Sequence, residues 1–148
     1  MAKIVVLANN SSDAISGNIL DVLETLDGVK GYKGDVTISD GVTLEQLTKL
    51  NKATTGAITL DAAVDFVGTS TEILTAIAGD INFGTPGNIV ITNNNYTLAQ
   101  LNAISKAGVI ELSNASVALS GSVDDLKVLG GIDNYAGTIT VTGKPSLD

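Results

Sequence analysis

The sequence predicts an α/β protein, a solenoid-like stack of strand–helix units with mainly parallel strands. Two observations carry this prediction. The chain repeats itself with a period of about 50 residues, and its apolar residues are almost all Ile, Val, Leu and Ala. Hydrophobic residues make up 44% of the 148 residues, but aromatic residues only 3%. Small branched side chains suit regular layers better than an irregular core around large rings.

The repeat is clearest in three similar segments, 16–39, 68–92 and 121–142. Each segment contains a Leu- and Ile-rich stretch, a Gly, an aromatic residue, a second Gly and an alternating strand. The second glycines are Gly34, Gly87 and Gly137, which are 53 and 50 residues apart. Segments repeated in this way favour stacked units, because a single copy cannot bury its own apolar faces.

Short apolar strands are predicted upstream of the segments: IVVL at 4–7, ITL at 58–60 and IEL at 110–112. Each leads through a polar bend to an apolar residue and a nearby Gly, at Ile15 and Gly17, Phe66 and Gly68, and Leu119 and Gly121. We therefore predict one repeat domain over residues 1–148, about two and a half copies long. Its units are 4–57, 58–108 and 109–142, with a tail at 143–148. Whether one turn of the stack is a whole unit or half a unit stays open here.

Two copies of one phrase predict the helix that follows the alternating strand. TLEQLTKLNKA occupies 43–53 and TLAQLNAISKA occupies 97–107. Apolar residues recur at every third position of both phrases, which indicates one apolar stripe along a helix. Thr43 with Gln46, and Thr97 with Gln100, match the capping box, in which each side chain bonds to the other residue's backbone N–H. This phrase is missing after the third strand, so the last copy is predicted to lack its second helix.

The alternating strands place their apolar residues on one face. Val36 and Ile38 share a face in DVTIS, and Ile139 and Val141 share a face in TITVT. We predict that helices bury this face and that the Thr-rich face is exposed. Strand–helix–strand connections of this length favour parallel pairing with a right-handed crossover.

Composition excludes several classes of function. The chain has no Cys, His or Arg; all eight basic residues are Lys, and the net charge is −8. This composition provides no thiolate or imidazole ligand for a transition metal, and no imidazole proton shuttle. An acidic chain without Arg is a poor binder of phosphate or nucleic acid. No apolar run approaches the roughly 18 residues needed to span a membrane, so membrane insertion is not expected.

No catalytic or metal site is predicted, and no cofactor. Neighbouring acids such as Asp61 and Asp65, or Asp124 and Asp125, lie at turns and helix starts, where carboxylates cap helices. GGIDNYAG (130–137) shares Gly and Asp with calcium-binding β-roll repeats but lacks their iterated pattern, so a turn is the better interpretation. The Asn run before Tyr96 suits a loop, and a sugar-binding role stays open for it.

Two stretches carry a resemblance to known proteins. DVTISDGVTLEQLTKLNKAT (35–54) and NIVIT (88–92) resemble repeat modules of very large cyanobacterial surface and motility-associated proteins, and the resemblance covers most of the chain. It implies an extracellular scaffold without catalysis. A short, acidic, stand-alone chain of such repeats also resembles the decoration or knob-like capsid proteins of cyanobacterial viruses. The N-terminus reads as a poor signal peptide, and virion proteins need none.

These observations lead to an expected function. The resemblance implies a non-enzymatic structural protein of the virion surface, which decorates a phage capsid or appendage. The alternative is a repeat module of a bacterial cell-surface or extracellular scaffold or adhesin. We expect a protein partner, bound by an apolar face or strand edge at one end of the stack. The candidate docking residues are Ile4 and Val6 at one end, or Ile139 and Val141 at the other.

Overall fold

The computed structural model describes residues 7–143, and within this range the chain is α/β, with parallel strands in three sheets and five α-helices. The strands are β1 (Ile15–Gly17), β2 (Val36–Ile38), β3 (Ile58–Leu60), β4 (Phe66–Gly68), β5 (Ile81–Phe83), β6 (Gly87–Ile91), β7 (Gly108–Leu112), β8 (Leu119–Gly121) and β9 (Ile139–Val141). The helices are α1 (Ile19–Leu26), α2 (Leu44–Ala53), α3 (Ser70–Ala76), α4 (Leu98–Ile104) and α5 (Val123–Leu126), followed by a 3₁₀ helix, Lys127–Gly131.

The chain forms two compact units. The first comprises Met1–Val64 and Thr75–Pro86, and the second comprises Asp65–Leu74 and Gly87–Asp148. The first unit holds a four-stranded sheet in the order β1-β2-β3-β5. The second holds a three-stranded sheet, β4-β6-β7, and a two-stranded sheet, β8-β9. All of these pairings are parallel, as the sequence predicts.

Paired strands are separated by a nearly constant length of chain. In the first unit Ile15 pairs with Val36, Val36 with Ile58, and Ile58 with Ile81, which gives steps of 21, 22 and 23 residues. In the second unit Phe66 pairs with Ile89 and Ile89 with Ile110, and Leu119 pairs with Ile139. Those steps are 23, 21 and 20 residues. The step between paired strands is therefore about half of the ~50-residue repeat of the sequence.

Three strands that the sequence does not predict lie directly after the predicted polar bends, on the apolar residue and the Gly that follow each bend. β1, β4 and β8 end in Gly17, Gly68 and Gly121, and Ser and Gly are poor strand formers. Their neighbours impose the extended form through parallel hydrogen bonds. The N–H of Ile15 donates to the Asp35 carbonyl at 3.0 Å, and the N–H of Ser39 donates to the Gly17 carbonyl at 3.0 Å. The sequence does not predict these strands because pairing, and not local propensity, makes them extended.

Both copies of the repeated phrase form capped helices, as predicted. The Gln46 N–H donates to the Thr43 hydroxyl at 3.2 Å, and the Thr43 N–H donates to the Gln46 side chain at 2.9 Å. Thr97 and Gln100 make the same pair of bonds. Such a cap stabilises a helix by about 1 kcal/mol.

The second of these helices is shorter than its phrase. We expect a helix to residue 107, but α4 ends at Ile104. Four residues separate the end of the phrase from β3 in the first copy, whereas in the second copy β7 begins at Gly108, directly after the phrase. Residues 105–107 form a turn, in which the Ala107 N–H donates to the Ile104 carbonyl at 2.9 Å and the buried Ala107 leads directly into β7.

The cores of the two units are made of aliphatic side chains from strands and helices. Val36 and Ile38 of β2, with Leu47 and Leu50 of α2, are each 0% exposed. In the second unit the buried set includes Phe66, Ile89, Ile91, Leu101, Ile104 and Leu112. Full burial of one such side chain is worth about 1.5–3 kcal/mol. These buried stripes agree with the faces that the sequence predicts for β2, α2 and α4.

The last strand departs from this pattern. Ile139, Thr140 and Val141 of β9 are all exposed, so the prediction of one buried face is wrong for this strand. Burial of a strand face requires a covering layer. Within residues 7–143 no helix follows β9, whereas α2 follows β2 and α4 follows β6.

The helices of the described range include none long and apolar enough to cross a bilayer.

Candidate docking surface

β9 is firmly attached along one edge. The Leu119 N–H donates to the Thr138 carbonyl at 2.9 Å, and the Thr142 N–H donates to the Gly121 carbonyl at 2.8 Å. The register pairs Leu119 with Ile139 and Gly121 with Val141. Leu119 itself is buried. The inner edge of β9 therefore has the same parallel bonding as the other strands.

The opposite edge of β9 is open in the part of the chain that the structure describes, where β8 is the only strand paired with β9. The Ile139 side chain is 48% exposed and that of Val141 is 53% exposed. Half-exposed branched side chains beside unpaired backbone groups form a template for an added strand. We call Ile139, Val141 and this free edge the β9 surface.

A Tyr and a Gly hold the segment before β9 in place, and an equivalent Tyr and Gly precede β2. The Tyr135 hydroxyl donates to the Val117 carbonyl at 2.8 Å, and the Tyr32 hydroxyl donates to the Asp13 carbonyl. A Cβ at Gly137 or Gly34 would lie closer than 3.0 Å to these same backbone oxygens and to the Tyr ring. Only Gly allows the chain to pass so close.

Both tyrosines remain hydrogen-bond donors at neutral pH. Burial raises the pKa of Tyr135. Burial also raises the pKa of Tyr32, with smaller contributions from the negative charges of Asp13 and Asp35. A phenol with a raised pKa keeps its proton across the physiological range, so the bonds that position β2 and β9 do not titrate there.

α5 lies between β8 and β9 in the chain and is charged at its start. Ser122 and Asp125 form a capping box, with the Asp125 N–H 3.2 Å from the Ser122 hydroxyl. Lys127 donates to Asp124 at 2.6 Å, and this bond and charge hold the pKa of Asp124 below its ordinary value. Both partners of this pair are solvent-exposed, so the pair contributes little to stability.

Several acids of the chain act as backbone acceptors. Asp35 accepts from the Ala57 N–H at 3.0 Å, Asp65 from the Asn88 N–H at 2.8 Å, and Asp40 from the Ile19 N–H at 2.8 Å. Each bond joins segments 21 to 23 residues apart. In the described range no three His, Cys, Asp or Glu side chains come together as a group that could hold a metal ion. These carboxylates tie neighbouring segments together.

The turn at 130–137 also has a structural role. The Leu112 N–H donates to the Asn134 side chain at 3.2 Å, and the Asn134 amide donates back to the Leu112 carbonyl at 2.6 Å. One side chain thus satisfies both backbone groups of Leu112 on the outer edge of β7. Asn93, from the Asn run, accepts from the Ser70 N–H at 2.8 Å. The amide groups of Asn134 and Asn93 are therefore engaged within the protein.

Two grooves lie on the surface of the described residues. The first unit has a groove of about 270 Å³, whose lining includes Thr48, Asn51, Lys52 and Asp80. The second unit has one of about 410 Å³, with Val109, Ile110 and Lys127 in its lining. Neither lining contains a His or Cys, so neither pairs a nucleophile with the usual base. The β9 surface remains the better candidate site.

The four predicted docking residues fall into two groups. Ile139 and Val141 lie side by side on the β9 surface. Ile4 and Val6 lie outside the described residues. The sequence predicts β9 as a strand but does not predict β8 as its neighbour. The residues of β8, Leu119–Gly121, are not typical of a strand. The constant spacing of about 20 residues between aligned Gly-ended segments and the next strand was the signal that could have identified β8.

Comparison with known proteins adds no assignment: no family model, no curated protein and no solved structure matches this chain.

Proposed function

We propose that this chain is a non-enzymatic structural protein that docks on a protein partner through the β9 surface. The observation that carries the proposal is the exposure of Ile139 and Val141 on a strand with one open edge. Two other edge strands, β4 and β7, expose Val67 and Val109 on one face but keep the opposite face buried, whereas β9 buries neither face. Phe66 of β4 and Ile110 of β7 are buried, and the outer edge of β7 is partly satisfied by Asn134.

The docking mechanism is strand addition. A partner strand laid along β9 supplies backbone hydrogen bonds, and its alternate side chains cover Ile139 and Val141. Such an interaction needs neither a cofactor nor a metal. The net charge of −8 and the absence of Arg disfavour nucleic acid as the partner.

A solenoid-like coil is the architecture that we propose within each unit. Its support is the step of 20 to 23 residues between paired strands, together with side-chain bonds that span the same distance. In a coil of this kind each turn contacts only its neighbours, so a terminal turn leaves one face for a partner. One turn is then somewhat less than half of the sequence repeat.

The setting that we favour is the surface of a virion, where the protein decorates a phage capsid or appendage. The support is the resemblance of 35–54 and 88–92 to cyanobacterial repeat modules, combined with the acidic composition of the chain. The second candidate is a module of a bacterial surface or extracellular scaffold or adhesin, which the same repeats favour. In both settings the protein acts by binding and not by catalysis.

Binding to purified virions tests the proposal. We compare the native protein with an Ile139→Lys/Val141→Lys double variant, and use Leu20→Lys as the matched control. Leu20 is 66% exposed on α1, so its replacement removes an exposed apolar side chain away from β9. We expect the double variant to lose at least about tenfold in affinity, since buried charges at a strand interface are costly, while Leu20→Lys binds normally. Equal binding by all three proteins contradicts the proposal.

The adhesin alternative predicts a different result. The isolated native protein then binds cells or glycan arrays and shows no affinity for virions or capsids. Binding to cells that is lost in the β9 double variant supports the scaffold or adhesin setting with the same docking surface.

A further inference from the structure

The backbone bonds of β9 show which of its groups point to the open edge. The Thr138 carbonyl accepts a hydrogen bond from β8 at 2.9 Å, and the Thr142 N–H donates one to β8 at 2.8 Å. Because successive residues of a strand present their backbone groups to opposite edges, Thr140 also faces β8. The N–H and C=O groups of Ile139 and Val141 therefore point to the edge that is unpaired among the described residues.

The sequence around Thr140 is symmetric. Residues 138–142 read TITVT, so the order of residue types is the same in both directions apart from the exchange of Ile and Val. When this strand pairs antiparallel with a copy of itself, Ile139 lies opposite Val141 and every Thr lies opposite a Thr. Pairs of branched apolar residues and pairs of Thr across strands both stabilise antiparallel sheets.

The edge of β9 also lacks the features that usually prevent self-pairing. Exposed edge strands are commonly protected by Lys, by Pro or by a charge that points inward. No charged residue and no Pro occurs between Asn134 and Gly143, although the whole chain has a net charge of −8. Two acidic copies that meet along this uncharged edge therefore bring no pair of like charges into direct contact.

β8 and β9 form the smallest sheet of the described residues. Two strands alone are marginally stable in water, and three or more strands are needed for a robust sheet. Pairing of two β9 strands joins the small sheets of two copies into one sheet of four strands. That is the number of strands in the sheet of the first unit.

We propose that β9 of a second copy of this chain pairs antiparallel with β9 around a two-fold axis at Thr140. Ile139 exchanges both backbone hydrogen bonds with Val141 of the second copy, and Thr140 faces Thr140 as a pair without hydrogen bonds between them. Both copies use the same patch, so assembly stops at a dimer. The proposal rests on the proposed function, because it names the occupant of the β9 surface.

Size and charge determine the strength of this dimer. Each copy contributes one strand, so the contact is small and the association is weak and concentration-dependent. Each copy has a net charge of −8, which repels the other copy at low ionic strength. Salt screens charges over about 10 Å at 0.1 M, and it leaves the apolar contact of Ile139 with Val141 in place. We therefore expect dimerisation to strengthen as salt is raised.

Cysteine cross-linking tests the register directly, because the native chain has no Cys. In the proposed dimer the two Thr140 Cα atoms lie about 4.5 Å apart, which is within the range of a disulfide. Ser120 is the matched control, since it is exposed and pairs with Thr140 on β8. The two Ser120 residues of a dimer are three strand spacings apart, or about 14 Å, so they cannot form a disulfide.

The variants Thr140→Cys and Ser120→Cys are oxidised separately under mild conditions, and the dimers are separated by non-reducing electrophoresis. We expect at least about tenfold more disulfide dimer from Thr140→Cys, because only this pair meets at the two-fold axis. Addition of Ile139→Lys/Val141→Lys to Thr140→Cys should remove the cross-link, since it places like charges beside each other at the contact. Circular dichroism confirms that all variants are folded.

Three results overturn the proposal: equal cross-linking of Thr140→Cys and Ser120→Cys, no cross-linking at millimolar protein and high salt, or cross-linking that persists in the added Lys variant. The virion experiment keeps this test separate from the proposed function. If cross-linking fails but Ile139→Lys/Val141→Lys abolishes virion binding, the β9 surface docks another protein and self-association is wrong. If cross-linking succeeds while virion binding ignores the double variant, the surface serves self-association and the proposed docking on virions is wrong.

Discussion

β2 and β9 have nearly the same sequence pattern and opposite surroundings. DVTIS and TITVT both alternate branched apolar residues with Thr. Val36 and Ile38 of β2 are completely buried, paired on both edges and followed by α2, whereas Ile139 and Val141 of β9 are about half exposed and paired on one edge. Alternation thus determines which side chains share a face. Neighbouring strands and helices determine whether that face is covered.

The largest expected difference between the two strands is in the cost of truncation. Ile38→Ala leaves a cavity in a fully buried layer, so we expect a loss of about 2–5 kcal/mol in the free energy of unfolding. Ile139→Ala removes a side chain that is already half solvated, so we expect less than about 1 kcal/mol. Urea unfolding followed by circular dichroism measures both. Similar losses for the two variants would show that β9 is covered in solution.

Glycine substitutions test whether the inner edges of the two strands are equally close-packed. Gly34→Ala and Gly137→Ala each place a Cβ against a backbone carbonyl of the preceding segment and a Tyr hydroxyl. We expect each to lower the free energy of unfolding by about 1–3 kcal/mol. Gly41→Ala is the control, because a Cβ there meets no atom within 4 Å. A tolerated Gly137→Ala beside a costly Gly34→Ala would mean that β9 is loosely held even on its paired edge.

The helix caps provide a smaller contrast. Thr43→Ala removes the cap of α2, the ten-residue helix after β2 that buries Leu47 and Leu50, and we expect a loss of about 1 kcal/mol. Ser122→Ala uncaps α5, which has four residues and buries none of them, so the opening should stay local. Hydrogen exchange separates the two results. Thr43→Ala should lower amide protection across the first unit, whereas Ser122→Ala should lower it only near α5. Thr43→Ser keeps the hydroxyl and should behave as the native protein.

The smallest expected effects come from the exposed ion pairs of these same helices. A hydrogen bond from Lys49, aided by its charge, lowers the pKa of Glu45, and Lys127 lowers that of Asp124 in the same way. A carboxyl with a depressed folded-state pKa stabilises the protein above its ordinary pKa, and this contribution disappears as pH falls through the folded value. NMR titration of the carboxyl carbons should therefore show both pKa values rising in Lys49→Ala and Lys127→Ala. Because both pairs are exposed, 1 M salt should raise the same two pKa values in the native protein by most of that amount. If the pKa values of Glu45 and Asp124 do not change in the Lys variants, the ion pairs do not form in solution.

Local signals were read correctly from the sequence where the chemistry is local. The Thr43–Gln46 and Thr97–Gln100 boxes satisfy helix-end N–H groups within four residues, so they are visible without tertiary contacts. The strand at Ile15–Gly17 was not recognisable in this way, because its backbone bonds are made to β2, about 20 residues away in sequence. The candidate site shows the same division. Ile139 and Val141 were identified as a pair on one face, but their exposure follows from what surrounds them.

By itself, the sequence determined the α/β class, the repeat, the parallel orientation of the strands and the capped helices, since these follow from residue types, their spacing and the length of the connections. Tertiary structure decided the step of 20 to 23 residues between paired strands, the extended form of β1, β4 and β8, and the early end of α4. It also decided that one of two nearly identical strands is buried and the other exposed. The physical reason is that burial and strand pairing depend on neighbours from distant parts of the chain, whereas capping and alternation depend only on residues close in sequence.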